Sequence, residues 1–235
     1  MTDDPTSSRP LGRRVVLGLL ALGGLGIVAG RAVGDGLAVL ASKDPTGLTA
    51  ALPGAAGFRY YSVTGDEPVR TAADYRLEVR GLVASPRSWT LAELGALPQT
   101  DLVRDFQCVT GWRVPDVAWS GVLLRDLLAR AAPGPSARAV LLRSFDGVYT
   151  ESLSLEQARR DDVLVATRLG GAELSRSHGG PARLLVAPMY GYKSLKWLGE
   201  IEVTDRVEPG YWEQRGYDVD AWVGGSNGRS DEPVA

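Results

Sequence analysis

Two segments of this sequence gather side chains able to do chemistry. One is Asp105-Phe106-Gln107-Cys108-Val109-Thr110-Gly111-Trp112. The other runs from His178-Gly179-Gly180-Pro181-Ala182-Arg183 to Tyr190-Gly191-Tyr192-Lys193-Ser194-Leu195-Lys196-Trp197. Cys108 is the one cysteine and His178 the one histidine among 235 residues. Those counts exclude an intramolecular disulfide, a CxxC site, a multi-ligand His/Cys zinc or iron centre and a bis-histidine haem. A carboxylate-rich metal site stays open. Any redox chemistry has to come from a cofactor that needs very few protein ligands.

A lone cysteine is most often a small buried core residue. The setting of Cys108 points elsewhere, because it follows a strand-like stretch and precedes Thr110-Gly111. That is a strand-to-loop exit, where a rigid scaffold displays reactive groups. A soft thiolate also suits a thiophilic metal. The second segment reads as an anion cradle. Glycines let backbone N–H groups approach a ligand. Arg183 offers a fork for phosphate, Lys193 and Lys196 offer point charges, and Ser194 adds a hydroxyl. Charge runs are usually solvated surface, but here Tyr190, Tyr192, Leu195 and Trp197 interleave with the cations, which favours a lined pocket.

The elements that must position these groups read as short strands with few helices. Tyr75–Arg80 alternates apolar and polar, as a half-exposed strand does. Ala139–Phe145 and Val148–Leu153 form a strand pair across Asp146-Gly147. Val163–Leu169 and Ala182–Ala187 are apolar runs of buried-strand type, and Glu200–Val203 alternates again. Leu91–Leu97 is a short helix stopped by Pro98. Ser120 is placed to cap a helix running to Ala131, with Leu123, Leu124, Leu127 and Leu128 on one face. Ser154 and Gln157 fit a capping box. The fold class expected is α+β, dominated by mixed sheets. With 44% hydrophobic residues the chain can bury one sizeable core. A net charge of −2 gives no sign of a nucleic-acid partner.

The two segments, with Ala118-Trp119-Ser120-Gly121 between them, resemble the molybdopterin-binding domain of the sulfite oxidase family. The resemblance covers residues 55 to 210. Its motifs are a lone Cys before a Trp, then [NH]-G-x-P-x-R, then G-x-K-S-x-K. The branch it resembles most is the bacterial periplasmic methionine sulfoxide reductase catalytic subunit. The resemblance implies a β-rich mixed-sheet fold and one molybdenum on a single pyranopterin dithiolene, with one protein thiolate. It implies Cys108 as metal ligand and catalytic residue. His178 falls where the family contacts the pterin, Arg183 matches its phosphate-binding arginine, and Ser194, Leu195 and Lys196 match its pterin-binding turn. Ser144 matches a hydroxyl that contacts the cofactor. Phe58–Ser62 corresponds to a cofactor-contacting segment, with Arg59, Tyr61 and Ser62 as its contacts, although the usual Asn is absent. The Val-Thr-Gly-Trp after Cys108 departs from the sulfoxide reductase pattern and leaves the substrate open.

The activity implied is oxygen-atom transfer, on a small-molecule or protein sulfoxide. Oxidation of an oxyanion such as sulfite is the alternative and calls for further arginines at the metal, with Arg104, Arg113 and Arg143 as candidates. A cofactor-free, surface-anchored β-rich binding module is the rival of another class. No haem is expected in this chain. A separate electron partner is therefore implied, a membrane cytochrome or a quinone-linked protein. Residues 1–41 are expected as a signal or membrane anchor. Arg13-Arg14 precedes an uncharged run, Val15 to Gly30, that resembles a twin-arginine export signal. As a helix that run reaches about 24 Å, against a hydrocarbon core of roughly 30 Å. The expectation is an extracytoplasmic protein with a linker at 42–57, a catalytic domain at 58–210 and a C-terminal tail at 211–235.

Overall fold

The computed structural model describes residues 58–110 and 112–225. The expected signal or anchor and the linker lie outside them. Among the described residues no helix is long and apolar enough to cross a membrane.

Among the described residues, ten strands and three short α-helices follow one another in the order β1 (Arg76–Gly81), β2 (Arg87–Thr90), α1 (Leu91–Ala96), β3 (Thr100–Gln107), β4 (Arg113–Leu123), α2 (Leu124–Ala131), β5 (Ala139–Ser144), β6 (Thr150–Ser154), α3 (Leu155–Ala158), β7 (Val163–Leu169), β8 (Ala172–Glu173), β9 (Arg183–Val186) and β10 (Leu198–Thr204). The first sheet has the order β2-β1-β10-β5-β6. Its β1–β10 pair is parallel, while β1–β2, β10–β5 and β5–β6 are antiparallel. The second has the order β3-β4-β7-β8, with β9 also paired to β7. This is the mixed, strand-dominated architecture expected.

The period-two alternation of strands decides where the core sits. Leu77 and Val79 of β1, Val140 and Leu142 of β5, and Ile201 and Val203 of β10 turn into the main core. Val163 and Val165 of β7, with Leu184 and Val186 of β9, enter the same core from the second sheet. The intervening Leu164, Ala166 and Leu185 face the other way, into a smaller cluster with Phe106 and Trp119. At β7 and β9 the second sheet is thus buried on both faces, which explains why these two strands read as continuous apolar runs. Gly121 of β4 permits a close approach of β7, since a Cβ there would lie 2.2 Å from the Val165 carbonyl oxygen.

The helices follow local rules. Thr90 and Glu93 form a capping box on α1, and Ser154 and Gln157 form one on α3. In α2 the residues Leu124, Leu127, Leu128 and Ala131 are buried at helical spacing. The expected helix start at Ser120 is corrected. Strand β4 continues to Leu123, and the Ser120 hydroxyl donates to Asp101 Oδ1 across the β3–β4 pair. Pairing with β3 and β7 on both sides holds this stretch extended and overrides the local cap signal.

Lys193 is a second correction. Expected as a point charge for phosphate, it is wholly buried in a 3₁₀ turn, Gly191–Lys193. Its Nζ pairs with Glu151 of β6 and, at 2.7 Å, with Glu213. Burial pushes the Glu151 carboxyl well above the usual range, which relieves two acids of facing one cation as two anions. Glu213 lies in a second 3₁₀ turn, Glu213–Arg215, beyond the expected end of the catalytic domain. The described residues after 210 pack on the body through this ion pair. They also do so through backbone bonds from Tyr211 N to Thr150 O (3.0 Å), Tyr190 N to Ala221 O (2.9 Å) and Val223 N to Pro188 O (3.0 Å). Removing the cation strands buried carboxylates. Lys193→Met is expected to cost about 3–5 kcal/mol and to expose residues 211–225 to protease. Urea unfolding and limited proteolysis read both, and a variant with wild-type midpoint and cleavage pattern contradicts the role given to the pair.

Candidate active site

Cys108 stands where β3 ends, in the loop before β4. Its N–H donates to the Trp112 carbonyl (2.8 Å), and its Sγ lies 3.3 Å from Thr110 Oγ1. The thiol lines a cavity of about 480 Å³. Arg59, Tyr61, Ser62, His178, Arg183, Ser194, Leu195 and Lys196 line the same cavity. Residues widely separated in sequence thus meet at one place, because β3 delivers Cys108 and β9 delivers Arg183 from the same sheet. Ser144 does not line the cavity. It is buried at the end of β5, where its Oγ accepts from Asp146 N (3.1 Å).

Arg183 is 3% exposed. Its guanidinium donates to the carbonyls of His178 (2.9 Å), Ser194 (2.7 Å) and Leu184 (3.3 Å). It also lies over the rings of Trp119 and Phe106, 5.3 and 5.5 Å from their centroids. Every one of these partners is neutral, and no carboxylate of the described residues forms an ion pair with it. Burial pulls its pKa down to about 10. Lys196 stands in the same condition. Its Nζ donates to the Ser177 carbonyl (3.3 Å) and sits 4.1 Å from the Trp197 ring centroid. Burial, and next the charge of Arg183, lower its pKa to about 8. Gly179, at φ +97°, lets the preceding loop close on this lysine, since a Cβ there would lie 2.7 Å from that of Lys196.

His178 bridges the cationic wall and the N-terminal segment. Its Nδ1 lies 2.9 Å from Ser175 Oγ and its Nε2 3.1 Å from the Tyr60 hydroxyl. Its ring meets Phe58 and Tyr60 edge to face at 5.0 Å. Burial, then Arg183 and Lys196, push its pKa down to about 4, so it is neutral at pH 7 and adds hydrogen bonding without charge. Ser194 holds the turn beneath the cavity, its Oγ accepting from Val186 N at 2.9 Å.

Sequence reasoning missed part of the lining. Trp112, Asp146, Tyr149, Tyr192, Tyr211, Trp212 and Tyr217 all face the cavity. Trp112 and Tyr192 lie inside the two chemistry-bearing segments, so their signal was present. Tyr211, Trp212 and Tyr217 fall beyond the expected domain end and carried none. The arginines considered for an oxyanion site stand elsewhere. Arg143 pairs with Glu200 and Glu202 on the first sheet, Arg113 pairs with Asp105, and Arg104 lines a separate depression with Arg113.

These residues fit an anionic, hydrogen-bonding cofactor. Two cations in the wall have no carboxylate partner among the described residues, which leaves a desolvated positive site for an anion. Two buried polar atoms in the lining, Trp112 Nε1 and Asp146 Oδ2, have no partner among the described residues and offer one donor and one acceptor. Among the described residues no group of three or more His, Cys, Asp or Glu is placed to hold a metal ion.

Comparison with known proteins agrees with this fit. The family model described as oxidoreductase molybdopterin binding domain matches residues 64–212. A putative protein-methionine-sulfoxide reductase subunit, YedZ1 of Azospira oryzae, is 34% identical over 227 residues, covering 88% of this chain and 85% of that protein. The uncharacterized oxidoreductase YuiH of Bacillus subtilis is 34% identical over 162 residues, covering 68% of this chain and 81% of that protein. Among solved structures, the sulfane dehydrogenase SoxCD from Paracoccus pantotrophus matches with a TM-score of 0.54 and 25% identity, covering 60% of this chain and 41% of that one. The fold is of the sulfite oxidase type, with β-rich mixed sheets and few helices. The chain belongs to the oxidoreductase molybdopterin-binding domain family, and it is a molybdenum-dependent oxidoreductase whose cofactor is molybdopterin.

Proposed function

We propose that this chain reduces an organic sulfoxide by oxygen-atom transfer at a molybdenum held through Cys108. The observation that carries the reading is the lining of the Cys108 cavity. Among the described residues its arginines are Arg59 and Arg183 alone, and Arg183 is the one assigned to the cofactor's phosphate. A sulfite-type oxyanion wants further cations at the metal, and Arg104, Arg113 and Arg143 stand outside the lining. An uncharged S=O group makes no such demand and fits a wall rich in tyrosine and tryptophan. The sulfoxide reductase named among the relatives supports the same choice.

When bound, the cofactor supplies two-electron redox chemistry and an acceptor for the oxygen atom. The protein's share is positioning. Arg183 and Lys196 would hold the phosphate end, and neutral His178, with its ring nitrogens on Ser175 and Tyr60, would contact the pterin side. Arg59, Tyr61 and Ser62 would close the site from the N-terminal side, and Ser194 and Leu195 would contact the pterin from their turn. Ser144 would act through the Asp146 turn, whose backbone N–H its Oγ accepts. The Cys108 thiolate anchors the metal and tunes it. The balanced reaction is R₂SO + 2 e⁻ + 2 H⁺ → R₂S + H₂O. Its electrons come from a separate carrier, for which a membrane cytochrome or a quinone-linked protein is proposed.

The N-terminal residues are proposed as a twin-arginine export signal or anchor that places the domain outside the cytoplasm. The observation is Arg13-Arg14 ahead of an uncharged run. Arg13→Lys with Arg14→Lys keeps the charge and is expected to hold the protein inside the cell. Fractionation showing normal export of that double variant contradicts this assignment.

Cys108→Ser tests the centre. Serine nearly preserves size, so stability changes little. A hydroxyl is a harder and far less acidic donor, so the metal's visible and paramagnetic spectra change. Sulfoxide turnover with reduced viologen as donor is expected to fall by about two orders of magnitude or more, at least the scale seen when a metal's supporting shell is disrupted. Unchanged spectra and turnover in a folded, cofactor-loaded variant remove Cys108 from the metal.

A further inference from the structure

We infer that five aromatic rings in the cavity wall form a cup that binds the hydrocarbon arm of the sulfoxide substrate, so that the enzyme selects uncharged alkyl-aryl and dialkyl sulfoxides over small oxyanions. The inference rests on the sulfoxide-reduction reading and adds the residues that choose among its substrates.

The rings make an unbroken chain. Tyr149 stacks on Tyr211 with centroids 5.5 Å apart, Tyr211 meets Trp212 at 5.3 Å, Trp212 meets Tyr217 at 5.1 Å, and Tyr217 meets Tyr192 at 5.4 Å. The Tyr149 hydroxyl donates to the Tyr192 carbonyl at 2.7 Å, which joins the two ends. All five line the cavity that contains Cys108. The polar tips of Tyr149 and Tyr192 are spent on backbone, so what these two rings offer the cavity is hydrocarbon. The Tyr192 hydroxyl donates to the Asp218 carbonyl at 2.7 Å. Burial also holds both phenols above their usual pKa, so neither is a ready proton donor.

The cup is held in place and, among the described residues, carries no cation toward the cavity. Tyr211, Trp212 and Tyr217 flank Glu213, which the buried Lys193 ties to Glu151. Arg215 lies 3.6 Å over the Tyr211 ring and does not line the cavity. A sulfite-sized anion gains nothing from such a wall. A thioether arm gains apolar burial and sulfur–aromatic attraction there. The cationic part of the same cavity, around Arg183 and Lys196, is claimed by the anionic cofactor. This division leaves the aromatic part to the substrate.

The test uses holoenzyme, reduced viologen as donor, and two sulfoxides of unequal hydrocarbon size, dimethyl sulfoxide and methyl p-tolyl sulfoxide. A calorimetric titration with methyl p-tolyl sulfide, the unreactive product, reads binding without turnover. Trp212→Ala and Tyr217→Ala are each expected to raise KM for the aryl sulfoxide and Kd for the sulfide by about tenfold, the scale of one aromatic pair removed. KM for dimethyl sulfoxide and cofactor content should move far less, and kcat should fall less than KM rises. Trp212→Phe keeps an aromatic face and should recover most of the aryl preference, which a mere folding defect would not. If wild type reduces sulfoxides while both alanine variants keep its aryl KM and sulfide affinity, the cup is overturned and the sulfoxide function stands. If wild type reduces no sulfoxide, yet it binds the sulfide and both variants fail to, the cup stands and the function falls.

Discussion

The site depends on one buried charge. Arg183 is 3% exposed and has no carboxylate partner among the described residues. Three carbonyls and two aromatic rings hold its guanidinium in place but supply no negative charge. A buried cation left in that state is costly unless something anionic arrives. The nearby Lys196 adds a second positive charge, and neutral His178 adds none. An anionic cofactor is therefore part of the electrostatic design of this domain.

The rest of the fold serves that arrangement. Strands β7 and β9 of sheet two are buried on both faces, so β9 can hold Arg183 in register while Leu184 and Val186 anchor the strand in the main core. The same sheet carries β3 and β4, whose connecting loop presents Cys108. Lys193 meets a different fate. Ten residues beyond Arg183, it is also buried, yet it is fully matched by Glu151 and Glu213. One cation is neutralised within the protein and fastens the aromatic segment. The other is left open and faces the cavity. The two adjacent fates separate structural from ligand-directed charge more clearly than motif position does.

Much of this was legible in the sequence because the signals were local. The β5–β6 hairpin, β7, β9, β10, helix α1 and the capping box of α3 each rest on neighbours a few residues apart. Strand β4 was not legible, since Pro115, Asp116 and Gly121 interrupt its pattern and its leucines continue into α2. Its extended form comes from pairing with β3 and β7, which no window of sequence contains. The Cys108 and His178–Lys196 segments were readable from residue type and spacing. The partners of Lys193 were not, because they lie 42 and 20 residues away. The aromatic cup was hidden for the same reason, since Tyr211, Trp212 and Tyr217 reach the cavity through that ion pair and through backbone bonds to distant residues.

The most direct measurement is the molybdenum and pterin content per chain of Arg183→Met, set beside the unfolding free energy of its cofactor-free form. Methionine fills similar space between the rings without the charge. The cofactor-free variant should be as stable as the wild type or more so, because an unmatched buried charge has gone. Its cofactor occupancy under dialysis should fall about ten- to a hundredfold, the equivalent of a charge-assisted hydrogen bond. A variant that unfolds far more easily yet keeps its full molybdenum and pterin would show that Arg183 is a structural cation, and that the site is not built around an anion.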